Sequence, residues 1–519
     1  MNVNKILEKG LKAFSNRIVL IDGANKYTYE ESNTRMNKFA NGMKGLGLKK
    51  GDRVAAVSVN SAQSNEVDYG LIKAGIIMVA LNLRSTPSEL RYMINNSEAK
   101  AVVCSPEYID SINEIRGDLE HTEHFICLYD SPKDMIDYET LLSSSSSDDP
   151  NVVVDSEEVA SFLYTSGTTG RLKAAMLTHK NWVARCMNTM VEIDHITEDE
   201  VNLSVAPMRH TGPILFLPFY LSGAATVIVN GFDVKTVLDI IEREKVTRTL
   251  MVPSMINAIM DYRNLDDYDL TSIKSIMYGA SPMPIQLLER SIRKLGMVFE
   301  QLYALSEALP MVTFLHKSNH KIDGSEKGLK HLASAGRPGK GVEVAIVDED
   351  GNEVPIGAVG EIATRGNHVM AGYWGEPELT AKSLKNGWFY TGDMAYRDED
   401  GFYYLVDRKK DLIISGGFNV YPNEVETLIY KHSSVSEVAV IGVPSKRWGE
   451  EVKAIIFLRP TMPCTEEEII KLCRDELSDY KCPKTVEFLE NPLPKSGVGK
   501  ILKREIKEKY WEGYDRRIN

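Results

Sequence analysis

The chain has 519 residues, of which 43% are hydrophobic and 26% charged. That length exceeds what one core ordinarily serves, so at least two domains are expected, and the composition excludes both a disordered chain and a membrane-embedded one. With 61 basic against 73 acidic residues the net charge is −12, which argues against nucleic acid as the main partner and leaves room for a local basic site that binds phosphates.

Residues 1–14 carry Lys5, Glu8, Lys9 and Lys12 among their apolar positions, so no export signal is expected. No apolar run reaches the roughly 18 residues a spanning helix needs. The expectation is a cytoplasmic protein with no stable membrane insertion. From Arg53 the sequence reads V-A-A-V-S-V, returns with I-I-M-V-A-L-N at Ile76, and again with A-V-V-C at Ala101. Short β-rich runs separated by helix-length stretches indicate βαβ units and a parallel sheet. The pattern recurs at residues 224–229, 247–252 and 272–278, so the class expected is α/β with layered sheets. Five serines at 143–147, followed by Asp148, Asp149 and Pro150, read as a solvated loop joining two subdomains. The cysteines, 104, 127, 186, 464, 473 and 482, form no C-x-x-C pair and read as reduced thiols.

An apolar run closed by Leu163 and Tyr164 leads into T-S-G-T-T-G-R-L-K, comprising Thr165, Ser166, Gly167, Thr168, Thr169, Gly170, Arg171, Leu172 and Lys173. Two glycines permit positive φ, and the hydroxyls and amides can surround phosphate oxygens beside the Lys173 charge. Arg171 follows Gly170, so the G-x-x-x-x-G-K-[ST] loop of P-loop enzymes is not matched. Alone, the segment reads equally well as a polar turn between strands.

Further segments follow in order: Q-L-Y-A-L-S-E at 301–307, Y-T-G-D at 390–393, D-R-K-K-D from Asp407, S-G-G-F-N-V-Y-P-N-E-V-E from Ser415, and P-K-S-G-V-G-K from Pro494. In this order and spacing they resemble the adenylate-forming superfamily of acyl-CoA synthetases, carrier-loading adenylation domains and firefly-type luciferases, over nearly the whole chain. The resemblance implies a large multi-subdomain N-terminal domain, residues 1–408, holding the ATP and acyl sites. A small mobile α+β C-terminal domain, residues 409–519, would carry the catalytic lysine.

Carried over by residue, the resemblance makes the 165–173 segment the loop on the β- and γ-phosphates of ATP. Gly279, Ala280 and Ser281 match the wall of the adenine pocket, and Tyr303 matches the aromatic residue that stacks on the base, within a nucleotide-binding segment that includes Gln301, Leu302 and Ser306. Glu307 matches the acid that holds Mg²⁺, a hard cation suited to oxygen ligands. Asp393 matches the carboxylate that accepts both ribose hydroxyls, with Arg408 reaching the same sugar. Lys410 matches the interdomain hinge, although composition alone reads residues 407–411 as a surface turn. Lys500 matches the lysine of the adenylation step, where a cation between carboxylate and α-phosphate stabilises developing charge. His210, in P-M-R-H-T-G, matches the family's histidine beside the acyl pocket, which gates the tunnel through which the thiol arrives.

Departures from the family pattern are Leu172 for proline and Ala174 for glycine, which are expected to loosen or strain the phosphate loop. Leu302 stands where relatives often have glycine and is expected to shorten the acyl tunnel. Arg209 reads as a side chain snorkelling to solvent in preference to a substrate contact.

The implied activity is ATP-dependent formation of an acyl-CoA from a small-molecule carboxylic acid, with ATP, Mg²⁺ and coenzyme A as cofactors; a homodimer is compatible with it. Gly416, Gly417 and Phe418 match the loop lining the pantetheine channel of CoA-using members. A stand-alone ligase that loads a carrier-protein arm is the alternative, and a nucleotide-binding regulator without catalysis is the reading from another class. Only 19 residues follow Lys500, so no carrier domain is expected in cis.

Overall fold

The computed structural model describes residues 1–512 apart from 167–171, 210–212, 282, 409–410, 416–417, 446, 460–461 and 496–500, and gives Ser166, Pro213 and Arg408 by backbone alone. The apolar runs read from the sequence are strands at Arg53–Val57, Ile77–Ala80, Ala101–Cys104, Ala225–Ile228, Arg248–Met251 and Ser275–Tyr278. They pair in parallel with their neighbours. A parallel strand is covered on both faces, which explains near-continuous apolar sequence in place of alternation.

One sheet has eight strands, in the order Gly372–Tyr373, Leu172–Thr178, Val159–Ser166, Ile77–Ala80, Arg53–Val57, Ala101–Cys104, His124–Cys127 and Ile136–Asp137. A second has nine, running from Arg337–Pro338 through Ala308–Leu315, Phe299–Leu305 and Ser275–Tyr278 to the edge hairpin Ile18–Asp22 and Asn25–Thr28. A single apolar cluster draws Val54, Met78 and Ala101 from the first sheet, Leu20 and Ile228 from the second, and Met36, Phe39, Leu71 and Ile72 from helices Tyr29–Gly45 and Ala62–Lys73. Each such side chain contributes about 1.5–3 kcal/mol on burial, so this layer bonds the two sheets. Helices begin where the sequence supplies a cap: Thr28 with Glu31, Thr86 with Glu89, and Thr178 with Asn181 exchange reciprocal hydrogen bonds at the first turn, satisfying amides that no intrahelical partner reaches.

A third sheet contains Glu343–Val347, Gly360–Arg365, Trp388–Arg397 and Tyr403–Arg408. Beyond it, Ile413–Ser415, Phe418–Val420, Val435–Ser445, Gly449–Leu458 and Thr485–Leu489 form a fourth sheet packed by helices Pro422–Ile429 and Glu466–Glu476. Among the described residues its core, from Ile413 through Val438, Val452 and Ile456 to Cys482, takes none from the earlier sheets. The architecture is thus α/β, with a large N-terminal part of layered sheets and a smaller C-terminal part.

Two expectations change. The serines at 143–147 join no subdomains, because the strands on either side, Ile136–Asp137 and Val159–Ser166, lie in one sheet. The Asn37 and Asn41 side chains donate to the Ser147 and Ser146 carbonyls at 2.9 Å, fastening the run to helix Tyr29–Gly45. Asp407 is also more than a turn residue: its carboxylate accepts the Asn423 amide at 2.9 Å, capping helix Pro422–Ile429. All six cysteines are free, as expected.

Candidate functional site

The strands Val159–Ser166 and Leu172–Thr178 run antiparallel, so Thr165 faces Lys173 and the ends of the 165–173 segment are brought together. Glu307 lies in the turn between Phe299–Leu305 and Ala308–Leu315, at the margin of the other large sheet. The Thr165 hydroxyl donates to Glu307 Oε1 at 2.9 Å, joining the two sheets. A residue the motifs did not supply meets the same oxygen: the Tyr373 hydroxyl donates to Glu307 Oε1 at 3.0 Å. Lys173 Nζ rests 4.9 Å from the centre of the Tyr373 ring. Burial lowers the Lys173 pKa, opposed by the charges of Glu307 and Glu376. The Tyr373 phenol is raised, first by burial and then by Glu307, so it stays a proton donor.

The adenine-pocket match falls at the carboxyl end of Ser275–Tyr278, the side where parallel α/β sheets bind ligands. Gly279 is required there, because a Cβ would lie 2.4 Å from the Leu302 carbonyl oxygen. Ala280 adopts a φ of +67°, a left-handed conformation that costs a non-glycine residue about 1–2 kcal/mol. Ser281 and Ser306 are half-buried at the ends of their strands, and Gln301 is half-buried on Phe299–Leu305. Tyr303 donates to Asp393 Oδ2 at 2.6 Å, so the base-stacking and ribose candidates are in contact. Arg408 stands opposite Asp393 in the antiparallel register. Leu302 turns the other way, into an apolar cluster with Ile214, Leu215, Phe219, Met277 and Met311.

Of the remaining candidates, Gly167, Thr168, Thr169, Gly170, His210, Lys410, Gly416, Gly417 and Lys500 lie outside the described residues, as do the side chains of Ser166 and Arg408.

The two departures from the family pattern, Leu172 and Ala174, carry no strain at their own positions. Ala174 is in strand Leu172–Thr178, opposite Tyr164, and is not among the residues with positive φ. Its carbonyl accepts the Trp374 amide at 2.9 Å. The Leu172 carbonyl accepts the Tyr92 hydroxyl at 3.1 Å, and its side chain packs on the cluster around Phe162 and Tyr164.

Arg209 does not snorkel. It is buried, with Nε donating to Asp68 Oδ1 at 2.7 Å and a guanidinium nitrogen donating to the Ser58 hydroxyl at 2.5 Å. Asn60 clamps the same segment by donating to the Ala206 and Val229 carbonyls at 3.1 Å and accepting the Met208 amide at 2.9 Å. The backbone entering position 210 is therefore fixed from below, and a cavity of about 10 Å³ beside it has room for one water molecule.

His320 supports strand Ser275–Tyr278, which leads into the adenine-pocket candidates. Its Nδ1–H donates to the His316 carbonyl at 3.0 Å and its Nε2 accepts from the Tyr278 hydroxyl at 2.9 Å. This is a neutral tautomer, and burial lowers its pKa from 6.5 to about 4. The unfolded chain takes up the proton near pH 6.5 and the folded one only near 4, so the contribution of His320 to stability is complete above about pH 6.5 and is lost as pH falls through 4. His320→Gln is accordingly expected to flatten the fall of Tm between pH 6.5 and 4; a wild-type slope in the variant contradicts this.

A buried ammonium, hydroxyl donors and a carboxylate meeting at a sheet margin, next to a tyrosine–aspartate pair at the end of a parallel sheet, are suited to a phosphorylated nucleotide. Comparison with known proteins agrees. The family model described as AMP-binding enzyme matches residues 7–374, and that of the AMP-binding enzyme C-terminal domain matches residues 424–500. Feruloyl-CoA synthase of Amycolatopsis sp is 36% identical over 490 residues, covering 94% of this chain and 95% of that protein. A long-chain-fatty-acid–CoA ligase of Escherichia coli is 32% identical, covering 97% of this chain and 93% of the relative. A solved anthranilate CoA ligase in complex with anthranoyl-AMP superposes with a TM-score of 0.89 at 26% identity, over 98% of this chain and 97% of that one. With both parts of the chain matched in order, the protein belongs to the AMP-binding enzyme family.

Proposed function

We propose that the protein is an AMP-forming acyl-CoA ligase. A carboxylate oxygen attacks the α-phosphorus of ATP, the bond to the bridging oxygen breaks, and pyrophosphate leaves. The coenzyme A sulfur then attacks the acyl carbon, AMP leaves, and the thiol proton is released. The observation that carries this reading is the convergence of Thr165 and Tyr373 on Glu307 beside the buried Lys173, supported by relatives named as CoA ligases.

In this reading Lys173 and the 165–170 segment hold the β- and γ-phosphates, Gly279 to Ser281 and Tyr303 hold the base, and Asp393 with Arg408 holds the ribose. Lys500 serves adenylation, Lys410 is the hinge between residues 1–408 and 409–519, and His210 borders the acyl pocket. Glu307 suits Mg²⁺, because among the described residues both donors meet Oε1 and none meets Oε2, which leaves a hard oxygen ligand. When bound, the ion would neutralise phosphate charge. For the thiol step, Gly416, Gly417 and Phe418 would line the pantetheine channel; Phe418 is 60% exposed and its ring centre lies 5.0 Å from that of Tyr480. No described helix is long and apolar enough to cross a membrane, and a cytoplasmic location fits this chemistry.

The nucleotide product tests the reading. Acid- and CoA-dependent turnover is expected to yield AMP and pyrophosphate, and release of ADP and phosphate would falsify it.

For the acid, we favour a short, branched or compact aromatic one, because the resemblance puts Leu302 where relatives have glycine in the acyl tunnel; relatives named for ferulate and anthranilate fit this, while the one named for long-chain fatty acids does not. Leu302→Ala is expected to move kcat/KM toward longer straight-chain acids, each buried methylene being worth about 0.8 kcal/mol, while the cavity lowers stability by about 2–5 kcal/mol. A chain-length series for both proteins checks this, and an unchanged preference removes Leu302 from the pocket.

A further inference from the structure

We infer that Tyr373 is a positioning residue for nucleotide-bound Mg²⁺, acting through Glu307; the inference rests on the ligase reading and assigns a role to a residue outside the motifs. The Tyr373 hydroxyl and Thr165 both donate to Glu307 Oε1, at 3.0 and 2.9 Å. Two donors on one carboxylate oxygen fix the rotation of the group and direct Oε2 away from both. Hydrogen bonds accepted by a carboxylate are among the strong ones, so the pair of them holds the group firmly.

Tyr373 is itself held on every side. Its backbone pairs with Ala175 on the strand that carries Lys173, and its amide donates to the Thr380 hydroxyl at 2.9 Å. Gly372, at a φ of +145°, lets Thr380 approach, since a Cβ there would stand 2.7 Å from the Thr380 methyl carbon. The ring lies under the Lys173 ammonium, where a cation gains from the face of the π-system. One side chain thereby sets the distance between a phosphate-binding cation and a metal-binding anion.

The test is calorimetric binding of α,β-methylene-ATP, with and without Mg²⁺, in the absence of acid and CoA. In the wild type Mg²⁺ is expected to tighten binding. In Tyr373→Phe, which keeps the ring and loses the hydroxyl, that gain is expected to shrink roughly tenfold, the worth of one hydrogen bond to a charged group, with metal-free affinity unchanged. In a Glu307→Gln background the same substitution is expected to do nothing further, an outcome a general packing role would not give. An unchanged Mg²⁺ gain in folded Tyr373→Phe overturns the inference, as does an equal effect in both backgrounds; AMP release by the wild type would still uphold the ligase reading. If Tyr373→Phe does not fold, Thr165→Val removes the companion bond to Oε1 and must reduce the Mg²⁺ gain in the same way. Absence of that reduction also overturns it.

Discussion

Lys500→Ala is expected to slow adenylate formation about 10²–10³-fold, the loss seen when one preorganised group aimed at developing charge is removed, and to leave thioester formation from supplied acyl-AMP nearly intact. The carboxylate and the α-phosphate are both anionic, so their approach needs a cation between them. The second half-reaction replaces that encounter with attack by sulfur on an already activated acyl carbon. Lys500 lies outside the described residues, but the chain on either side of it is anchored: Lys495 and Ile501 form an antiparallel bridge, the Leu502 amide donates to the Pro494 carbonyl at 2.8 Å, and Lys495 Nζ pairs with Glu437. Alanine at 500 leaves these contacts untouched. Single-turnover release of pyrophosphate, set beside CoA-dependent consumption of acyl-AMP, separates the steps. Equal loss of both in a folded variant would contradict the proposed division of labour between the two parts of the chain.

Asp68→Ala is expected to destabilise the N-terminal part by about 3–5 kcal/mol, because it strands the Arg209 guanidinium in the interior without its counter-charge. Both side chains are buried, and burial pushes the Asp68 carboxyl up to about 6, with Arg209 pulling the other way. A buried ion pair need not be stabilising in itself. Replacing both members with apolar residues of similar volume, Asp68→Leu with Arg209→Met, is therefore expected to recover most of the loss. Thermal unfolding of the two variants checks this, and a double variant no better than Asp68→Ala would show that specific polar contacts matter more than uncompensated charge. The Ser58 hydroxyl and the Ser64 carbonyl also accept from Arg209, so recovery is expected to be incomplete. The single variant should lose adenylation as well, since residues 206–209 lead directly into the segment matched to the acyl pocket.

What could be read from residues alone followed from local regularity. Parallel strands such as Ile77–Ala80 and Ala101–Cys104 announce themselves because burial on both faces demands unbroken apolar runs, and the 165–173 segment stands out as a candidate because small and hydroxylated residues follow one another closely there. The order of motifs was enough to place the chain in its family and to nominate Glu307, Asp393 and Tyr303. Their mutual placement came from the fold. Tyr373 reaches Glu307 across 66 positions of chain, and Arg209 reaches Asp68 across 141. Neither pairing leaves a periodic trace, because it depends on which strands become neighbours. Arg209 looked solvent-directed because nothing near it in sequence carries an opposite charge. Likewise, the serine run looked like a boundary because composition measures solubility, while the sheet that continues on both sides of it is set by hydrogen bonds between distant strands. Ala174 looked strained because family glycine suggests positive φ, and only the antiparallel register shows an extended backbone where any L-residue fits.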